Sequence, residues 1–138
     1  KTLDSKTEEQ LRRLLVDQGQ KVALPTQAVY TEPGKVVSFG IGILNILEKN
    51  YGTKFKIKVS PSIAVDEKKK KKLALPGKEW LLYISGPYVI KENDHKMVPI
   101  GIVVPKTAKK GTYIFNAQVL DENGKIYDNI KKFNVVVK

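Results

Sequence analysis

Residues 21–138 predict an all-β chain of antiparallel sheets, a sandwich or a barrel, preceded by one short helix. Three observations carry this expectation. From Lys21 onward apolar residues recur with period 2 instead of 3.6, the spacing of a half-buried strand. Turn signals punctuate the chain every 8–15 residues or so. No helical stretch interleaves the strand segments, which a parallel sheet would require. Seven to nine strands fit. The chain of 138 residues is 41% hydrophobic, enough for a core, and has the length of one domain.

Taken in order, Ser5-Lys6-Thr7-Glu8 fits a capping box, and Glu8 and Glu9 suit the first turn of a helix. Leu11, Leu14 and Leu15 share one helical face, and Gly19 is a natural stop, giving a helix over 5–18. Residues 1–20 thus read as helix and linker, and 21–138 as the sandwich. The helix either packs on the end of the domain or is the tail of a longer one. Because the chain begins at Lys1, a removed signal or upstream membrane anchor is expected.

Val22–Leu24 and Ala28–Tyr30 read as short strands separated by Pro25, and Glu32-Pro33-Gly34-Lys35 as a turn. Val37, Phe39, Ile41 and Ile43 alternate with Ser38, Gly40 and Gly42, so something is expected to pack closely over the glycine side. Lys49-Asn50-Tyr51-Gly52 turns the chain. In the next strand Phe55, Ile57 and Val59 face a core while Lys54, Lys56 and Lys58 face water. A separate piece, Ile63–Val65, leads into Lys68, Lys69, Lys70, Lys71 and Lys72, a run whose self-repulsion predicts a solvated loop. Trp80–Ile84 reads as a strand, and Gly86-Pro87 breaks it before Val89-Ile90. Met97–Val104 and Tyr113–Leu120 are the longest late strands. Asp121-Glu122-Asn123-Gly124 predicts a hairpin with positive φ at both Asn123 and Gly124, returning through Phe133, Val135 and Val137.

Three local features now agree: Pro33-Gly34-Lys35 leading into a strand that ends at Asn45, Val103-Val104-Pro105 followed by Gly111-Thr112-Tyr113, and the closing hairpin at Asn123-Gly124. Together they resemble the immunoglobulin-like β-sandwich modules of prokaryotic, especially archaeal, surface proteins, and are similar to pilin-like and archaellum-stator ectodomains. The resemblance covers about residues 25–138 and is one of fold pattern. It implies an extracellular or cell-surface setting, a protein partner, and a corner role for Tyr113, bonding back to nearby backbone. An ordinary core aromatic is the alternative for Tyr113. The cysteine pair of true immunoglobulin domains is absent.

Chemistry finds little footing in the composition. With no cysteine there is no disulfide, zinc–thiolate site, iron–sulfur cluster or thiol nucleophile. The single His95 lies between strands in Lys91-Glu92-Asn93-Asp94-His95-Lys96, where flanking lysines oppose a cation. Blue copper needs a cysteine and two histidines. No Gly-x-Ser-x-Gly elbow occurs, and Gly40-x-Gly42 sits inside a strand and not before a helix. No cofactor, metal site or catalytic residue is expected, and the chain reads as a non-enzyme.

Charge is the remaining signal. The formal net charge is +11, from 25 basic and 14 acidic residues. Lys54, Lys56, Lys58 and Lys68–Lys72 form the candidate interaction surface, with Lys106, Lys109, Lys110, Lys131 and Lys132 as further positives. Such a field attracts polyanions, and lysine on strands also deters edge-to-edge aggregation. Yet only 2 of the 25 basic residues are arginine, the residue suited to phosphate recognition. The expected role is structural, adhesive or filament-forming, at an acidic envelope surface or protein. Polyanion or nucleic-acid binding, and a chaperone-like sandwich accepting a donated strand, are the alternatives.

Overall fold

A computed structural model describes residues 5–48, 51–69 and 71–138. Two sheets face each other across one core. The four-stranded sheet has the order β1 (Val22–Ala23), β3 (Val36–Leu44), β7 (His95–Val103), β5 (Leu81–Leu82). The five-stranded sheet has the order β2 (Ala28–Thr31), β9 (Lys131–Val137), β8 (Gly111–Leu120), β4 (Thr53–Asp66), β6 (Tyr88–Ile90). This is an immunoglobulin-like β-sandwich with nine strands among the described residues. Every ladder is antiparallel except β2–β9, which is parallel. The exception accompanies a change of sheet: across the segment that holds Pro25 the chain leaves the four-stranded sheet after β1 and joins the other sheet beside its last strand.

Alternation builds the core. Phe55, Ile57 and Val59 from β4, Tyr113, Phe115 and Val119 from β8, and Phe133 and Val135 from β9 point inward against Phe39, Ile41, Ile100 and Ile102. Phe133 is the hub, with ring centroids 4.3 Å from Phe39 and 5.3 Å from Phe115. Such paired rings add to the gain from burial alone.

Several boundaries differ from the sequence expectation. The α-helix, α1, spans Ser5–Arg12 and passes into a π-helical turn over Arg13–Asp17, ending at Gly19 with φ +69°. The proposed cap by the Ser5 side chain lies outside the described side chains. Leu11 and Leu15 are fully buried against Ala23, with Leu44 and Met97 alongside. A Cβ on Gly42 would lie 2.5 Å from a Leu15 methyl, so glycine admits the helix onto the outer face of the sheet.

The two pieces around Pro61 are one strand of 14 residues, β4, which absorbs the proline in a bulge between Pro61 and Ile63. Trp80 is not in a strand: it closes a 3-10 turn, Lys78–Trp80, and only Leu81–Leu82 pair with β7. His95 is the first residue of β7, opposite Leu44, instead of lying in a loop. At the late hairpin only Gly124 has positive φ, +77°. There the Asp121 carboxylate accepts from the Asn123 and Lys125 amides, and Gly124 N donates to the Asp121 carbonyl. The Asp side chain shapes the turn, so Asn123 keeps an ordinary φ.

Candidate interaction surface

The structure divides the candidate lysines into two groups. Lys54, Lys56 and Lys58 are exposed on the outward side of β4. Lys54 stands opposite Val89, Lys56 opposite Leu120 and Lys58 opposite Gln118. Lys132 on β9 joins the same face and donates to the Asn116 amide oxygen at 2.8 Å. Carboxylates border this group: the Lys54 amide donates to Glu122 at 3.2 Å, and Asp121 and Glu122 line a cleft with Lys54 and Lys56.

Lys68, Lys69, Lys71 and Lys72 lie past the far end of β4. At about 3.3 Å per residue, ten residues of strand put Asp66 roughly 33 Å beyond Lys56. Lys70 lies outside the described residues. The lysine run is a folded hairpin and not only a solvated loop. Lys69 N donates to the Asp66 carbonyl at 2.8 Å, and Asp66 N to the Lys71 carbonyl at 2.9 Å. A bridge joins Val65 to Lys72, and Leu73 N donates to the Ala64 carbonyl. The backbone is paired while the lysine side chains stay in water, so repulsion is relieved without unfolding the turn.

Two other segments reach the same end. Residues 104–110 connect β7 to β8 and carry Lys106, Lys109 and Lys110. Val104 exchanges backbone hydrogen bonds with Gly34 and Lys35, and Ala108 N closes a turn on the Pro105 carbonyl. Tyr113 holds the segment from beneath: its hydroxyl donates to the Lys109 carbonyl at 2.5 Å, and its ring packs 4.8 Å from Trp80. Lys138 N donates to the Thr31 carbonyl at 2.9 Å, and its ammonium lies 4.6 Å from the centre of the exposed Tyr30 ring. Tyr30 and Lys138 were not among the sequence candidates. Only strand order places them beside Lys110, so no local signal marks them.

Tyr113 supports a direct test. Burial raises its pKa above 10.0, and burial does the same for Tyr127, where the neighbouring charge of Asp128 adds to the rise. A raised phenol pKa favours the neutral, folded form. The associated stability is therefore complete below pH 10 and lost as pH climbs toward the folded-state value. Tyr113→Phe is expected to cost about 1 kcal/mol at neutral pH, through the lost bond to Lys109. It should also flatten the alkaline decline in urea midpoint; an unchanged midpoint and profile would mean that the hydroxyl holds nothing.

Charge is sorted along the long axis. Among the described residues, segments 31–36, 66–72, 104–111 and 137–138 carry nine lysines and three acidic residues. At the opposite end, segments 44–53, 90–96 and 120–130 carry three lysines and six acidic residues. Most of the positive excess is thus gathered at one tip, where the potentials of neighbouring lysines add.

Two grooves cut this basic end. One, of about 500 Å³, is lined by Asp66, Glu67, Lys68, Lys71, Leu73, Lys109 and Lys110. The other, of about 530 Å³, includes Tyr30, Glu67, Lys69, Lys110, Thr112, Val136 and Lys138. Glu67 and Lys110 border both. Elsewhere, the described residues hold no group of three or more His, Cys, Asp or Glu placed for a metal, and His95 stands apart on β7. No helix among them is long and apolar enough to cross a membrane.

No protein-family model matches the sequence, and no curated protein matches it. Solved structures do share the architecture. A family 123 glycoside hydrolase from Clostridium perfringens is similar at TM-score 0.60 and 17% identity, over 92% of this chain and 24% of that one. The chain therefore spans about a quarter of the hydrolase's length. The human CEP192 ASH/PapD-like domain is similar at TM-score 0.56 and 11% identity, over 86% of this chain and 85% of that one. At these identities the likeness is one of fold.

Proposed function

We propose that this chain is a non-catalytic immunoglobulin-like module that acts by contact, and that its contact surface is the lysine-rich end of the sandwich. The observation that carries the reading is the sorting of charge: among the described residues, nine lysines converge on one tip from four segments far apart in sequence. A structural, adhesive or filament role at a prokaryotic cell surface, outside the cytoplasm, belongs to the same proposal, and cell fractionation tests that placement. The partner presents negative charge. Steering by a basic tip speeds encounter and orients the module end-on.

The experiment compares two fourfold neutralisations. One changes Lys68, Lys69, Lys109 and Lys110 to glutamine at the tip. The other changes Lys54, Lys56, Lys58 and Lys132 to glutamine on the sheet face. Each removes four charges from exposed or mostly exposed positions, so folding is retained. On an immobilised polyanion the tip variant is expected to elute at clearly lower salt than the face variant. Equal losses would show that net charge acts diffusely and would overturn the assignment of the tip.

A further inference from the structure

Taking the basic end as the contact surface, we infer that its partner is an extended acidic polypeptide segment that also carries apolar side chains. The grooves there are not uniformly charged. Leu73 lies in one, and Thr112, Val136 and the Tyr30 ring in the other, with Lys68, Lys71 and Lys109 around the first and Lys69 and Lys138 around the second. Lys110 and Glu67 stand where the two meet. An extended chain alternates its side chains, so it can set apolar groups on the floor while its carboxylates meet the lysines.

Three observations favour a polypeptide over other anions. Every basic residue of the rim is lysine, beside the carboxylates of Asp66 and Glu67, and none supplies the arginine fork that suits phosphate. Tyr30 is 65% exposed, but the Lys138 ammonium sits over its ring, so that face is occupied where a nucleobase would stack. Glu67, at the junction, repels a uniformly charged polyphosphate yet tolerates a chain that places an uncharged residue there. A membrane surface, being flat, would leave the apolar floor unfilled.

The test uses fluorescence anisotropy with the whole chain and four probes. One is a labelled peptide alternating glutamate with leucine and phenylalanine. The second is a peptide of equal charge with glycine and serine at the apolar positions. The others are a single-stranded oligonucleotide of matched charge, and phosphatidylserine vesicles. The apolar acidic peptide is expected to bind about tenfold tighter than its glycine–serine counterpart, the worth of one well-buried side chain. The double variant K109E/K110E should weaken both peptides. Tyr30→Ser should weaken only the apolar one; both changes are at exposed sites, and a retained far-ultraviolet spectrum checks the fold. Equal affinity for the two peptides, or tighter binding of the oligonucleotide or vesicles, overturns the peptide inference and leaves the basic end as contact surface. Failure of all four probes to bind at low salt removes the contact surface itself.

Discussion

Gly111→Ala is expected to destabilise the fold by about 3 kcal/mol, near the upper range for steric overpacking. A Cβ at this position would lie 2.1 Å from the Val65 carbonyl oxygen and 3.1 Å from the Asp66 Cα. Both are backbone atoms of the neighbouring strand, so no rotamer change relieves the overlap. The demand is for space and not for unusual dihedrals, since Gly111 is absent from the positive-φ glycines. The pair Asp66–Gly111 closes the β4–β8 ladder, and the lysine hairpin and Lys109-Lys110 adjoin it. Forcing the strands apart there should also lower affinity for an acidic probe. Urea unfolding gives the stability change, and the anisotropy assay gives the second effect. A midpoint within error of the parent protein would show that the ladder end yields freely.

Asn45→Ala should cost about 2–4 kcal/mol, because it strands more than one polar group in a site closed to water. Asn45 is fully buried. Its side-chain amide donates to the Ile90 carbonyl at 2.6 Å, and its side-chain oxygen accepts from Leu47 N at 2.8 Å. Its backbone accepts from Asn93 N and donates to the Asp94 carbonyl. Tyr127 continues the network, its hydroxyl donating to the Leu44 carbonyl and accepting from Ile46 N. One side chain thereby ties the exit of β3 to the strand at the edge of the other sheet. Asn45→Asp is the informative companion: it keeps the acceptor for Leu47 but removes the donor to Ile90 and buries a charge. It should be at least as damaging at neutral pH and recover on acidification. Calorimetry at two pH values separates these outcomes, and a mild, pH-independent effect for both would mean that water replaces the network.

The tip at which the proposed contact is made was only partly legible in the sequence. Lys68–Lys72 announce themselves as a charge run. Lys109 and Lys110 count among the basic residues, but nothing local says that they sit beside that run. Their proximity depends on the pairing of Asp66 with Gly111, a contact between residues 45 positions apart. Conversely, Lys54, Lys56 and Lys58 are close in sequence to the run and stand a strand's length away from it. The bulge at Pro61–Ile63 was hidden for a related reason. Proline reads locally as a strand end, whereas here its missing donor is absorbed by a shift in register.

Alternation in sequence determined which residues of β4, β8 and β9 face the core, since period 2 leaves one face to burial and one to water. It also carried the all-β class, the leucine face of the N-terminal helix, and the room left on the glycine side of β3, because these depend on local periodicity and side-chain size. Tertiary structure alone decided that β2 runs parallel to β9, that the helix lies on Gly42, and that Tyr30, Lys110 and Lys138 converge with the lysine hairpin. The reason is physical: periodicity specifies what a segment must bury, while strand order follows from burying all segments at once with every backbone group paired.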